Sequence, residues 1–174
     1  PFIRAQIETA IQTGHVRAHF RGVPPGSGPR LAFDADLDGQ RDGEDGRRLV
    51  GTPVVGIRGH LLLNANREPR LGESEFAVVT TAAPDTVQGV LVVSSAAANL
   101  TISGVPVRVD LNASAPLIQP FWSDAAGLAF LRTPIPANPA LIGLTLNLQA
   151  FFPDAATPVG VSASNGLEIT IQPN

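Results

Sequence analysis

The chain has 174 residues, 44% of them apolar, and a net charge of −3. That is enough apolar side chain for a packed core, and too little charge to direct the chain to nucleic acid or an anionic membrane surface. All twelve cationic residues are Arg, and there is no Lys, Cys, Met or Tyr, which removes Schiff-base chemistry, disulfides, thiol nucleophiles and thiolate metal sites.

Sixteen Pro and seventeen Gly punctuate the sequence, so the expected elements are short. From Pro1 to Gln12 the apolar Ile3, Ala5, Ile7 and Ile11 alternate with Arg4, Gln6, Glu8 and Gln12, the period of a half-buried strand. A second alternating run places Val16, Ala18 and Phe20 against His15, Arg17, His19 and Arg21. Residues 23–29 form a Pro/Gly/Ser loop, and 31–33 read as a short strand leading into an acidic loop.

That loop, residues 34–45, holds six of the fifteen acidic residues. So many carboxylates repel one another unless a hard cation lies among them. Oxygen ligands at loop positions 1, 3, 5, 7, 9 and 12, with Gly at position 6, are the calcium-loop pattern. Here those positions are Asp34, Asp36, Asp38, the backbone carbonyl of Gln40, Asp42 and Asp45, with Gly39 at the turn. The expected cofactor is therefore Ca2+.

Beyond the loop, a helical turn or two is expected over 42–50. Strands are expected at 52–57, 59–63, 76–80, 89–93, 99–103, 105–111, 127–131, 141–151, 159–162 and 167–171. A further turn of helix is expected near 138–141, and 64–75 reads as an exposed polar connection. Many short strands with turn signals between them predict an all-β fold, an antiparallel β-sandwich or jelly roll with a calcium-loop insertion. The expected organisation is a single domain over 1–174, its leading strand 1–12 free to pair with a neighbour. The alternative is a calcium-loop β domain over 1–85 followed by a C-terminal β domain over 86–174.

The acidic loop resembles the thrombospondin type 3 calcium repeat and its bacterial relatives. Asp34, Asp36, Asp38, Asp42 and Asp45 fall on the repeat's acidic positions. The resemblance covers one dozen-residue segment and implies calcium binding and secretion. The C-terminal half is similar to a β domain of secreted proteins of planctomycete-type bacteria. The residues that carry this are the turn Ile135-Pro136-Ala137-Asn138-Pro139, the alternating strand that reaches Gln149-Ala150, and Ser164-Asn165-Gly166 before the last strand. It implies an extracellular β architecture and brings no catalytic residue with it. A sequence beginning at Pro1 without Met fits removal of a secretory leader, and no apolar run is long enough for a membrane-spanning helix.

Candidate chemistry beyond calcium is sparse. His15 and His19 share a face of a strand but sit roughly 13 Å apart at about 3.3 Å per residue, too far to share an ion without a bend. His60 has no nucleophile motif near it, and there is no Gly-x-Ser-x-Gly turn. Glu68, Glu73, Glu75, Asp110 and Asp124 are scattered, and nothing selects an acid pair among them, so no enzyme activity is expected. Phe121-Trp122 reads first as a core or corner aromatic, with an exposed platform for sugar stacking as the alternative.

These observations lead to two functional expectations. The first is a secreted, calcium-stabilised structural protein, a subunit of an extracellular filament, fibre or surface layer. It would self-associate as strand 1–12 adds to a neighbour's sheet. The second is an extracellular module that binds carbohydrate or another surface protein through Trp122 and the 64–75 loop.

Overall fold

The computed structural model describes residues 46–113 and 116–174. In chain order the strands are β1 (Arg47–Val50), β2 (Val55–Gly56), β3 (Gly59–His60), β4 (Leu62–Ala65), β5 (Ala77–Thr81), β6 (Gln88–Ser94) and β7 (Ala97–Ile102). They continue as β8 (Val105–Val109), β9 (Leu117–Trp122), β10 (Ala129–Arg132), β11 (Thr145–Pro153), β12 (Val161–Ala163) and β13 (Gly166–Thr170). The fold is all-β and antiparallel, consistent with a β-sandwich, as the alternation in the sequence predicts.

Among the described residues the principal sheet has six strands, in the order β1-β13-β11-β6-β9 with β12 also paired to β11. A second sheet, β10-β5-β4, covers its inner face. Leu61, Leu63, Phe76 and Val78 from the small sheet and its flanks meet Leu91, Phe121, Leu148, Phe152, Leu167 and Ile169 from the large one. Each buried side chain of this size contributes about 1.5–3 kcal/mol through removal of apolar surface from water. The rings of Phe121 and Phe152 sit 5.0 Å apart at 56°. They leave no room for a Cβ at Gly89, where one would lie 2.5 Å from the Phe152 ring.

The β7–β8 hairpin lies on the outer face of the large sheet. Its two-residue turn, Ser103-Gly104, has φ of 50° and 85°, the mirror-image turn whose twist suits paired strands. Val107 and Val109 of β8 close over Val92 and Phe151 to make a second, smaller core. The β3–β4 region is fixed from within. Asn165 Oδ1 accepts the Leu63 N–H at 2.9 Å, and its Nδ2 donates to the Leu63 carbonyl at 3.0 Å.

Three expectations are corrected. Residues 47–50 are strand, not helix, because Arg47 to Val50 pair residue by residue with Ile169 to Gly166. The 64–75 stretch is not a free loop. Asn64 and Ala65 belong to β4, Pro69 is buried, and Leu71 N–H and Pro69 C=O bond to the backbone of Gln172 at 3.0 and 2.8 Å. Strand β9 was not expected at all, since Pro120 interrupts it. Proline is tolerated there because β9, among the described residues, is an edge strand with a ladder on one side only. The single helical turn near 138–141 is present at Pro139–Leu141. It is capped by Asn138, whose Oδ1 accepts the Ala140 N–H at 3.1 Å.

Candidate assembly face

The calcium ligands proposed from sequence, Asp34, Asp36, Asp38, Gln40, Asp42 and Asp45, lie outside the described residues, as do the strand 1–12, His15 and His19. The scattered acids are each held locally. Glu68 pairs with Arg70, Glu73 with Arg67 and Glu75 with Arg132. Asp110 Oδ1 accepts the Asn112 N–H, and Asp124 Oδ1 accepts the N–H groups of Ala126 and Leu128. Among the described residues no three His, Cys, Asp or Glu gather as they would around a metal ion. His60 is exposed on β3.

The aromatic pair divides between core and surface. Phe121 is buried, whereas its neighbour Trp122 is 61% exposed. The alternation of a strand forces this split, since adjacent side chains leave opposite faces. The stretch is thus both things the sequence allowed, one aromatic in the core and one on the surface.

Trp122 ends a row. Ile118, Pro120 and Trp122 share the outer face of β9, and all three are exposed. The ladder sets Ile118 beside Val92, Pro120 beside Val90 and Trp122 beside Gln88 on β6. On the next strand, Gln149 stands beside Val92 and Phe151 beside Val90. The hairpin covers Val92, but Val90 and Phe151 remain half-buried. Beyond them a shallow depression of about 270 Å3 is lined by Gln88, Val90, Phe151, Pro153 and Val161 among others. No charged side chain lines it. Among the described residues, 117–122 make no backbone hydrogen bond beyond their ladder to β6. An apolar strip bordering an unpaired strand edge is a surface suited to association.

A second depression, of about 470 Å3, is lined by Ile57, Arg58, Pro84, Asp85, Pro153, Asp154 and Ala155. Its polar groups are already engaged with one another. Arg58 bonds to Asp85 through Nε and to the Ala125 carbonyl through Nη2 at 2.7 Å. Asp154 accepts the N–H groups of Ile57 and Ala156, both at 3.0 Å. The hydrogen bond from Arg58 holds the Asp85 carboxyl below its usual value, with desolvation opposing. The same bond raises Arg58. This site ties the β2–β3 turn to two other loops.

No family model matches this sequence, and neither a curated protein nor a solved structure matches it.

Proposed function

We propose that the chain is a secreted, calcium-stabilised structural protein, a subunit of an extracellular filament, fibre or surface layer assembled by β-strand addition. The observation that carries this reading is the order of the large sheet. Among the described residues, β1 lies at one edge of that sheet and β9 at the other. A leading strand of one copy added to the β9 edge of the next is a heterologous contact. Such contacts repeat without closing when the rotation between copies does not return to its start. The acidic loop, which resembles the thrombospondin type 3 repeat, would take Ca2+ through Asp34, Asp36, Asp38, Gln40, Asp42 and Asp45. It would thereby link stability to external calcium. In this reading the chain is non-catalytic.

The test is deletion of residues 1–12, followed by electron microscopy and light scattering. Folded monomers that no longer assemble are expected. Fibres formed by the truncated chain would end the proposal. A second reading, a module that binds carbohydrate or another surface protein, draws support from the exposure of Trp122.

A further inference from the structure

We infer that Asn165-Gly166 is a modification site that the fold holds inert. When β12 and β13 open, the pair deamidates through a cyclic imide, and the product no longer refolds.

The pair sits in a bulge. Ala163 lies opposite Phe151 and Leu167 opposite Leu148, so three residues, Ser164 to Gly166, face only Ala150 and Gln149 on β11. A bulge re-aims a side chain, and this one sends Asn165 across to β4 in the other sheet. Among the described residues β4 pairs with β5 on one side only. Asn165 meets the backbone of Leu63 there, with Oδ1 accepting its N–H at 2.9 Å and Nδ2 donating to its carbonyl at 3.0 Å.

Packing demands both residues of the pair. Position 165 needs a short side chain that accepts and donates at once, which an uncharged primary amide supplies. Position 166 has no room for a side chain, since a Cβ there would lie 2.8 Å from the Arg108 Cβ. The sequence that satisfies both demands is also the labile one, and it occurs once in the chain. Glycine leaves its own nitrogen unobstructed and its backbone free to turn. In an open chain the Gly166 nitrogen attacks Asn165 Cγ. A Cγ–N bond forms, the Cγ–Nδ2 bond breaks and ammonia leaves with the amide proton. Water then opens the ring. Cleavage at Cγ gives Asp, and cleavage at the backbone carbonyl gives isoaspartate, with the main chain rerouted through Cβ and Cγ.

The folded chain blocks each step. Asn165 is 3% exposed, so water is kept from the ring carbonyls. Turning Cγ onto the Gly166 nitrogen requires release of both bonds to Leu63. The backbone on either side is also held, because Ser164 Oγ donates to the Asn165 carbonyl at 2.6 Å and Gly166 pairs with Val50. Once made, neither product fits. A carboxylate at 165 has no N–H for the Leu63 carbonyl, and Nδ2 also served the Gly166 carbonyl at 3.0 Å. Isoaspartate further inserts a carbon into the main chain at the bulge. Each leaves a buried carbonyl without a donor beside the core. A chain that stays open long enough is thereby committed covalently to the unfolded state, so its lifetime is set by how often it opens.

The test holds the full chain in mildly alkaline buffer with and without guanidinium chloride, and maps deamidation by peptide mass spectrometry. Asp-Gly steps such as Asp38-Gly39 isomerise without changing mass, so the mass gain reports Asn alone. Position 165 is expected to convert first in denaturant. In the folded chain it is expected to convert about a thousandfold more slowly or less, because a domain of ordinary stability leaves under about one chain in a thousand open. On removal of denaturant, the fraction that refolds is expected to fall along the same time course. Chains held equally long in mildly acidic denaturant, where the attacking nitrogen stays protonated, are expected to refold in full. The variant Asn165→Asp, which carries one product from the start, is expected to reproduce the loss at neutral pH. Equal rates with and without denaturant would overturn the shielding. Deamidated chains that refold, an equal loss in acid, or an Asn165→Asp chain that melts like the unaltered one would overturn the lock.

Discussion

The side-chain amide of Gln149 completes the free edge of the strand that holds Arg108. Gln149 Oε1 accepts the Arg108 N–H at 2.7 Å, while Nε2 donates to the Pro106 carbonyl at 2.9 Å and to the Ser164 carbonyl at 2.8 Å. One amide thus acts toward β8 as a neighbouring strand would, with an acceptor and a donor in register. Gln149 is fully buried, so these bonds have no water to replace them. The arrangement fixes the β7–β8 hairpin on the large sheet and leaves Val90 and Phe151 half-buried beside it.

Gln149→Leu keeps the bulk and removes the amide, stranding Arg108 N–H and two carbonyls. Each buried orphan costs about 1–3 kcal/mol, so a loss of about 3 kcal/mol or more is expected in urea unfolding. Amide exchange at Arg108 should quicken with it. Gln149→Glu keeps the acceptor but faces two carbonyls with a carboxylate. Its folded-state carboxyl is therefore raised, so the variant is expected to be most stable below about pH 4.3 and to lose stability as pH rises through the raised value. Unchanged exchange at Arg108 would contradict the strand-like role.

The Arg58–Asp85 pair predicts a different pH profile. Arg58 lowers Asp85 below its usual 3.8. The pair's contribution is therefore present above that value and lost as pH falls through the lower folded-state value. The melting temperature of Asp85→Asn is expected to lie slightly below that of the unaltered chain at pH 7. The two should converge in acid and, because the pair is solvent-accessible, in high salt. A gap that persists at pH 2 would rule out this pair as its source.

Calcium dependence tests the acidic loop directly. Asp34→Asn and Asp36→Asn each remove a charged ligand and are expected to weaken calcium binding. At saturating calcium, every tenfold rise in Kd lowers the calcium-linked stability by about 1.4 kcal/mol. Melting in calcium and in chelator, compared across the three chains, gives the answer. Variants that keep the full calcium response would remove these ligands from the loop.

Several features of the fold were legible in the residues. Alternating runs such as Leu146-Asn147-Leu148 mark strands, as do continuous apolar runs such as Leu91-Val92-Val93 where both faces are covered. The turn at Asn138-Pro139 was readable because an Asx cap and a proline at the start of a helical turn are local chemistry. The Gln149-Ala150 and Ser164-Asn165-Gly166 signatures were also visible as a pattern. Their purpose was not, because Gln149 bonds to Pro106, Arg108 and Ser164, and Asn165 bonds to Leu63, 102 positions away.

By itself the sequence determined an antiparallel all-β chain, a concentration of carboxylates at 34–45 and a leading segment in which apolar and polar residues alternate. Tertiary structure decided that Arg47 to Val50 extend a sheet, that Pro120 sits within an edge strand, and that Phe121 enters the core while Trp122 faces out. The reason is physical. A two-residue period says that neighbouring side chains point opposite ways, but not which way is inward. That choice belongs to the strands and the second sheet that pack against them, which lie far away along the chain.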